Sequence, residues 1–172
     1  ASDRVARPPA LPEWGGYSFR PGEKAAIQNF LRSHRDLRMA TDADRRESES
    51  TDVKKLYGVY HPYFLRGDVN DDAVLDFVLA FVRRDSDRES PWFSVVVFSG
   101  TEGGTYSTGA FLERDVSLAD GDLSVDRDSI VITPDLEEEE DTRRYRWDPI
   151  RRSHVFVRED EEEDERAPLA QT

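Results

Sequence analysis

Two nearly continuous apolar runs, Leu75–Arg83 (LDFVLAFVR) and Trp92–Phe98 (WFSVVVF), lie only eight residues apart, and they constrain this chain more than anything else in it. A strand with one wet face alternates apolar and polar residues. A strand apolar on both sides needs cover on both. The β-branched and aromatic content favours strands over helix. The polar linker Arg84–Pro91 is short enough to join the runs as an antiparallel hairpin. The chain is therefore expected to build its core around a central β-hairpin.

A helix is predicted before the hairpin, over about 21–35. Pro21 suits its first position, and Glu23 places a negative charge in the first turn, where the helix dipole favours it. Ala26, Ile27, Phe30 and Leu31 recur at helical spacing on one face. Residues 41–52 read as a polar loop, with a short turn of helix around Val53–Tyr57. Tyr60–Arg66 is an edge-strand candidate, because Pro62 cannot donate to a ladder. Beyond Ser99, Gly100–Gly109 is a turn-rich loop. Ala110–Leu112, Ser129–Thr133, Arg143–Trp147 and Ser153–Val157 are short strand candidates. The expected fold class is α+β: an N-terminal helix packed on one antiparallel or mixed β-sheet of about five to seven strands. Residues 1–16, with three prolines and Gly15-Gly16, form an extended tether; 17–158 form a single domain; 159–172 form an acidic, disordered tail.

The charge distribution limits the partners. The formal net charge is −13. Asp135–Asp141 holds six acids and Glu159–Glu165 seven, and these thirteen are the whole imbalance, since the other 24 acids equal the 24 Lys and Arg. A near-neutral body with two acidic runs argues against nucleic acid, which needs a net basic face. It permits a basic partner or loosely held cations. No apolar run reaches about 18 residues, so no membrane-spanning segment is expected. The absence of cysteine removes disulfides, zinc thiolates and cysteine nucleophiles. Ala1-Ser2-Asp3 has the look of a mature end left by signal cleavage, which makes an extracytoplasmic (periplasmic or secreted) location the expectation.

One segment carries chemistry. In Gly67–Asp76 (GDVNDDAVLD), oxygen-bearing side chains fall at the first, third, fifth and ninth positions after the glycine: Asp68, Asn70, Asp72 and Asp76. In a tightly curled loop alternate side chains turn inward, so the first three converge; a backbone carbonyl at Val74 would add an oxygen, and Asp76 would close the shell. With one or two waters this supplies the six to eight oxygens that Ca²⁺ takes at about 2.3–2.6 Å. A divalent ion also relieves the mutual repulsion of three carboxylates. The competing reading is a structural turn, because Asp and Asn readily bond their own backbone.

The motif DVNDDAVLD followed by FVLAFV resembles the calcium loop of FG-GAP and VCBS-type repeats, D-F-N-G-D-G-x-x-D before an apolar strand. An EF-hand fits less well, since the twelfth position is Leu79 and a strand follows. The stretch from His61 to Phe98 resembles small exported bacterial proteins with one such loop between two strands, and Arg143–Trp147 resembles their C-terminal hairpin. The resemblance implies a weakly bound structural Ca²⁺, with affinity of about 10⁻⁴–10⁻³ M. The leading expectation is a non-enzymatic extracytoplasmic accessory or interaction subunit of some larger assembly, stiffened by the ion at Asp68–Asp76. Two departures stand out: Asp71 and Ala73 occupy positions where the pattern has glycine. With one copy of the loop, a propeller is not implied. The alternatives are a metal-dependent hydrolase using the same carboxylates, and a cation buffer based on the acidic runs. Arg66-Gly67-Asp68 spells an integrin-type tripeptide and is read as coincidence. His34, His61 and His154 lack zinc spacing. No catalytic residue is assigned.

Overall fold

Side-chain alternation along the central hairpin sets the architecture. The computed structural model describes residues 14–47, 52, 54–56, 60–127 and 129–157. Strand β3 (Asp76–Arg83) pairs antiparallel with β4 (Phe93–Phe98), with Val78 opposite Val97 and Ala80 opposite Val95. Phe77, Leu79 and Phe81 point to one side with Val96 and Phe98. They pack against Ile27 and Phe30 of helix α1 (Pro21–Ser33) and against Tyr17 and Phe19. Val78, Ala80 and Val82 point to the other side with Phe93, Val95 and Val97, where they meet Leu123, Ile130 and Ile132 of a second sheet. Both faces of the hairpin are dry, and each large apolar side chain so buried contributes about 1.5–3 kcal/mol.

Among the described residues the first sheet has five strands. β1 (Leu37–Met39) and β2 (Phe64–Gly67) lie end to end along one edge of β3, with Leu37 opposite Arg83 and Gly67 opposite Asp76. On the other side β5 (Ala110–Val116) pairs with β4. The second sheet is a four-stranded antiparallel meander of β6 (Asp122–Asp126), β7 (Ser129–Thr133), β8 (Arg143–Asp148) and β9 (Ser153–Val157). The α+β class holds, with the N-terminal helix on a sheet. The layers are helix, sheet and sheet, so the single sheet of five to seven strands expected from sequence is two sheets of five and four. The second apolar face of β3 and β4 requires a further layer, and the short strands after β5 supply it.

Two strands, β1 and β6, are not expected from the sequence, and a third, β5, is longer than expected. β1 is only three residues long and carries no periodic signal. β5 extends past Leu112 through polar Glu113–Asp115, as an edge strand can. β6 is acidic at both ends; Asp122 is nonetheless buried, accepting from Lys54 Nζ and from the Tyr60 hydroxyl at 2.6 Å. The acidic run 135–141 is largely exposed between β7 and β8, with one 3₁₀ turn at Glu139–Asp141. Residues 1–13 of the expected tether, the acidic run 159–165 and part of the turn around Val53–Tyr57 lie outside the described residues. No helix among the described residues is long and apolar enough to cross a membrane.

Candidate metal centre

The pairing of Gly67 with Asp76 closes a hairpin, so residues 68–75 must reverse the chain in the space between two adjacent strands. They do so by bonding to themselves. Asp68 accepts from the amides of Asp72 (3.2 Å) and Ala73 (2.8 Å), and Asp72 accepts from the amide of Val74 at 3.0 Å. Asp71 and Ala73 have φ of 55° and 64°. These are the two positions where the calcium-loop pattern has glycine, and the chain takes the left-handed conformation there without it. For Ala73 the cost is about 1–2 kcal/mol; Asp tolerates that conformation more readily.

The result brings three carboxylates together. One oxygen each from Asp68, Asp72 and Asp76 lie within 4.8 Å of one another. Oxygens on opposite sides of an ion coordinated at about 2.3–2.6 Å are up to about 5.2 Å apart, so the three can share a single cation. Asp68 is half-buried, Asp72 is exposed and Asp76 is fully buried. Asp76 accepts the amide of Val69 at 2.9 Å on one oxygen and the amide of Gly100 at 2.7 Å on the other. Burial pushes its pKa above the usual carboxylate value; the two amides oppose this, and the charges of Asp72 and Asp68 add to it. Asp76 is thus both a cluster member and the anchor of the loop. Each of its oxygens has a second lone pair for an ion.

Asn70 and Val74 complete the sequence-derived set. Asn70 Oδ1 is shielded from solvent and has no hydrogen-bond partner among the described residues. An amide oxygen of this kind, two residues from Asp68 and from Asp72 in sequence, is a hard-cation donor by chemistry, and a buried acceptor without a partner is costly. Val74 is held in the loop through its amide, which donates to Asp72. These residues therefore fit a hard cation: the structure defines a cluster able to hold one, built wholly from oxygen donors.

Two supporting residues escaped the sequence reading. Gly100 sits so close to Leu75 that a Cβ would lie 2.1 Å from the Leu75 carbonyl oxygen, and its amide reaches Asp76. His154 on β9 bonds the Val69 carbonyl through Nε2 at 2.8 Å, so the second sheet holds the loop of the first. Burial lowers the pKa of His154. Nothing local in SHVFV names a partner 85 positions away. The Arg66-Gly67-Asp68 tripeptide is committed internally. Arg66 binds buried Glu23 through Nε (2.8 Å) and Nη2 (2.6 Å), and Asp68 belongs to the cluster. Three cavities, of about 1180, 570 and 340 Å³, are lined without any residue of 68–76.

Comparison of the chain with protein-family models, with curated proteins and with solved structures finds no match.

Proposed function

We propose that this protein is a cation-binding domain whose working element is the 68–76 loop, and that the ion is Ca²⁺. The observation that carries the reading is the convergence of one oxygen each from Asp68, Asp72 and Asp76 within 4.8 Å of one another. An all-oxygen set on an irregular loop suits calcium, which tolerates irregular shells, better than magnesium, which demands near-octahedral geometry and keeps its waters. An ion there ties the β2–β3 turn to Gly100 and, through Val69, to β9. That is the role expected of a structural ion in an extracytoplasmic accessory subunit with an FG-GAP-like loop. A second reading draws on the exposure of Asp72. On that side a bound ion would face solvent and keep a water position open, as a metal-dependent hydrolase requires.

Calorimetry and thermal melts on the full chain test the proposal. With a dissociation constant of about 10⁻⁴–10⁻³ M, 10 mM Ca²⁺ stabilises by about 1.4–2.7 kcal/mol. That corresponds to a melting rise of about 3–10 °C. Asp68→Asn with Asp72→Asn abolishes the rise, and Mg²⁺ gives far less. A flat response of the unaltered chain refutes cation binding. Ca²⁺-dependent hydrolysis of bis-p-nitrophenyl phosphate, lost in Asp72→Asn, would establish the second reading; many weak sites unaffected by the double substitution would point instead to buffering by the acidic runs.

A further inference from the structure

We propose a second, separate binding site: the cavity of about 1180 Å³ between α1, β1 and the β3–β4 turn takes a small amphipathic molecule bearing an oxyanion group, held by Arg84 and Arg88. Six arginines and three aspartates line the cavity, a local basic excess in a body whose acids and bases otherwise balance.

Four of the six arginines are engaged in the fold. Arg38 is gripped by both oxygens of Asp44, at 2.9 and 2.7 Å. Arg46 bonds Asp120 at 2.9 Å, and Arg83 bonds Asp85 at 3.0 Å. Arg45 is buried and donates to the carbonyls of Arg46 and Ala119. The acids are engaged as well. Asp44 serves Arg38, Asp42 contacts His61 at 3.0 Å, and Asp87 accepts from the amide of Glu89 at 3.1 Å.

Arg84 and Arg88 are different. Arg84 is fixed by its own amide on the Asp36 carbonyl (2.8 Å) and by Nε on the Leu37 carbonyl (3.2 Å). This orients the guanidinium while leaving both terminal nitrogens without a partner among the described residues. Arg88 has no carboxylate partner among the described residues. A planar guanidinium held by one edge presents paired N–H donors, which match the two oxygens of a carboxylate, phosphate or sulfonate.

The rest of the lining is apolar where it meets the helix and β1: Trp14, Leu31 and Met39, with Val82 below. An oxyanion clamp beside an apolar wall selects an amphipathic ligand. The cavity is somewhat larger than the usual small-molecule site of about 300–1,000 Å³, so a ligand fills part of it. A nucleic acid is disfavoured, since tracking a phosphate backbone needs an extended net basic surface, and the 24 Lys and Arg of the chain are outnumbered by 37 acids.

The test uses 8-anilinonaphthalene-1-sulfonate as an anionic amphipathic probe and N-phenyl-1-naphthylamine as its neutral counterpart. Both are titrated by fluorescence into the full chain and into Arg84→Gln/Arg88→Gln. The expected result is saturable binding of the sulfonate, weakened fivefold or more in the double variant, with the neutral probe changed less than twofold. Arg151→Gln, on the exposed turn between β8 and β9, leaves both unchanged. Arg88→Gln alone carries the test if the double variant loses its native melting transition. Absence of saturable sulfonate binding, equal weakening of both probes, or an Arg151→Gln effect as large as the double variant's overturns the proposal.

Discussion

Replacing Asp76 by alanine removes the one acceptor that holds both the Val69 and the Gly100 amides. Val69 is fully buried, so its N–H has no water to turn to. Leaving a buried donor unpaired costs about 1–3 kcal/mol, and the half-buried Gly100 amide brings the loss to at most about 2–6 kcal/mol. Part of this is offset. The carboxylate is itself buried, which is what raises its pKa, and its removal ends that desolvation. The expected net loss is therefore in the lower half of the range, about 2–4 kcal/mol. For a chain of this size that lowers the melting temperature by about 4–16 °C. Urea denaturation followed by tryptophan fluorescence, in EDTA to exclude any ion, measures it directly. Asp76→Asn is expected to lose a similar amount, because its amide keeps one acceptor and turns a donor toward a backbone N–H. Asp68→Ala loses less, about 1–2 kcal/mol, because its two amide partners can turn to water. An Asp76→Ala protein within about 0.5 kcal/mol of the parent in EDTA would refute the anchoring argument, since that is the scatter of substitutions touching nothing.

Two further outcomes follow from the same loop. Ala73→Gly removes the left-handed strain at φ 64° and is expected to stabilise the protein by about 0.5–1 kcal/mol, and to tighten Ca²⁺ binding if the loop is the site; a rise in urea midpoint checks the first and calorimetry the second. Burial holds the pKa of His154 in the fold below the ordinary value of 6.5, while the unfolded chain takes up its proton at that value. The unfolded state binds more protons in that window, so stability is full above about pH 6.5 and falls as pH drops toward the lowered folded pKa. Melting temperatures from about pH 7 to 5, above the range where most carboxylates titrate, should show this decline in the parent and a flatter profile in His154→Gln.

The parts of this protein legible in its sequence are those set by neighbours a few residues apart. Helix α1 follows from the spacing of Ile27 and Phe30 and from Pro21 at its start. The β3–β4 hairpin follows from two apolar runs and a short polar linker. The donors of the 68–76 loop, and the need for left-handed backbone at 71 and 73, follow from a motif nine residues long. The apolar character of both faces of β3 even demanded a second covering layer. Its identity was not legible, because strands pair through backbone groups that every residue carries, and a run such as LSV or LRM holds no mark of its partner. Which sheet β6–β9 join, that His154 reaches Val69, that Gly100 answers Asp76 and that two arginines are left over around one cavity depend on where distant segments pack. Packing is set by the summed burial of the whole core, and no local stretch of sequence contains that sum.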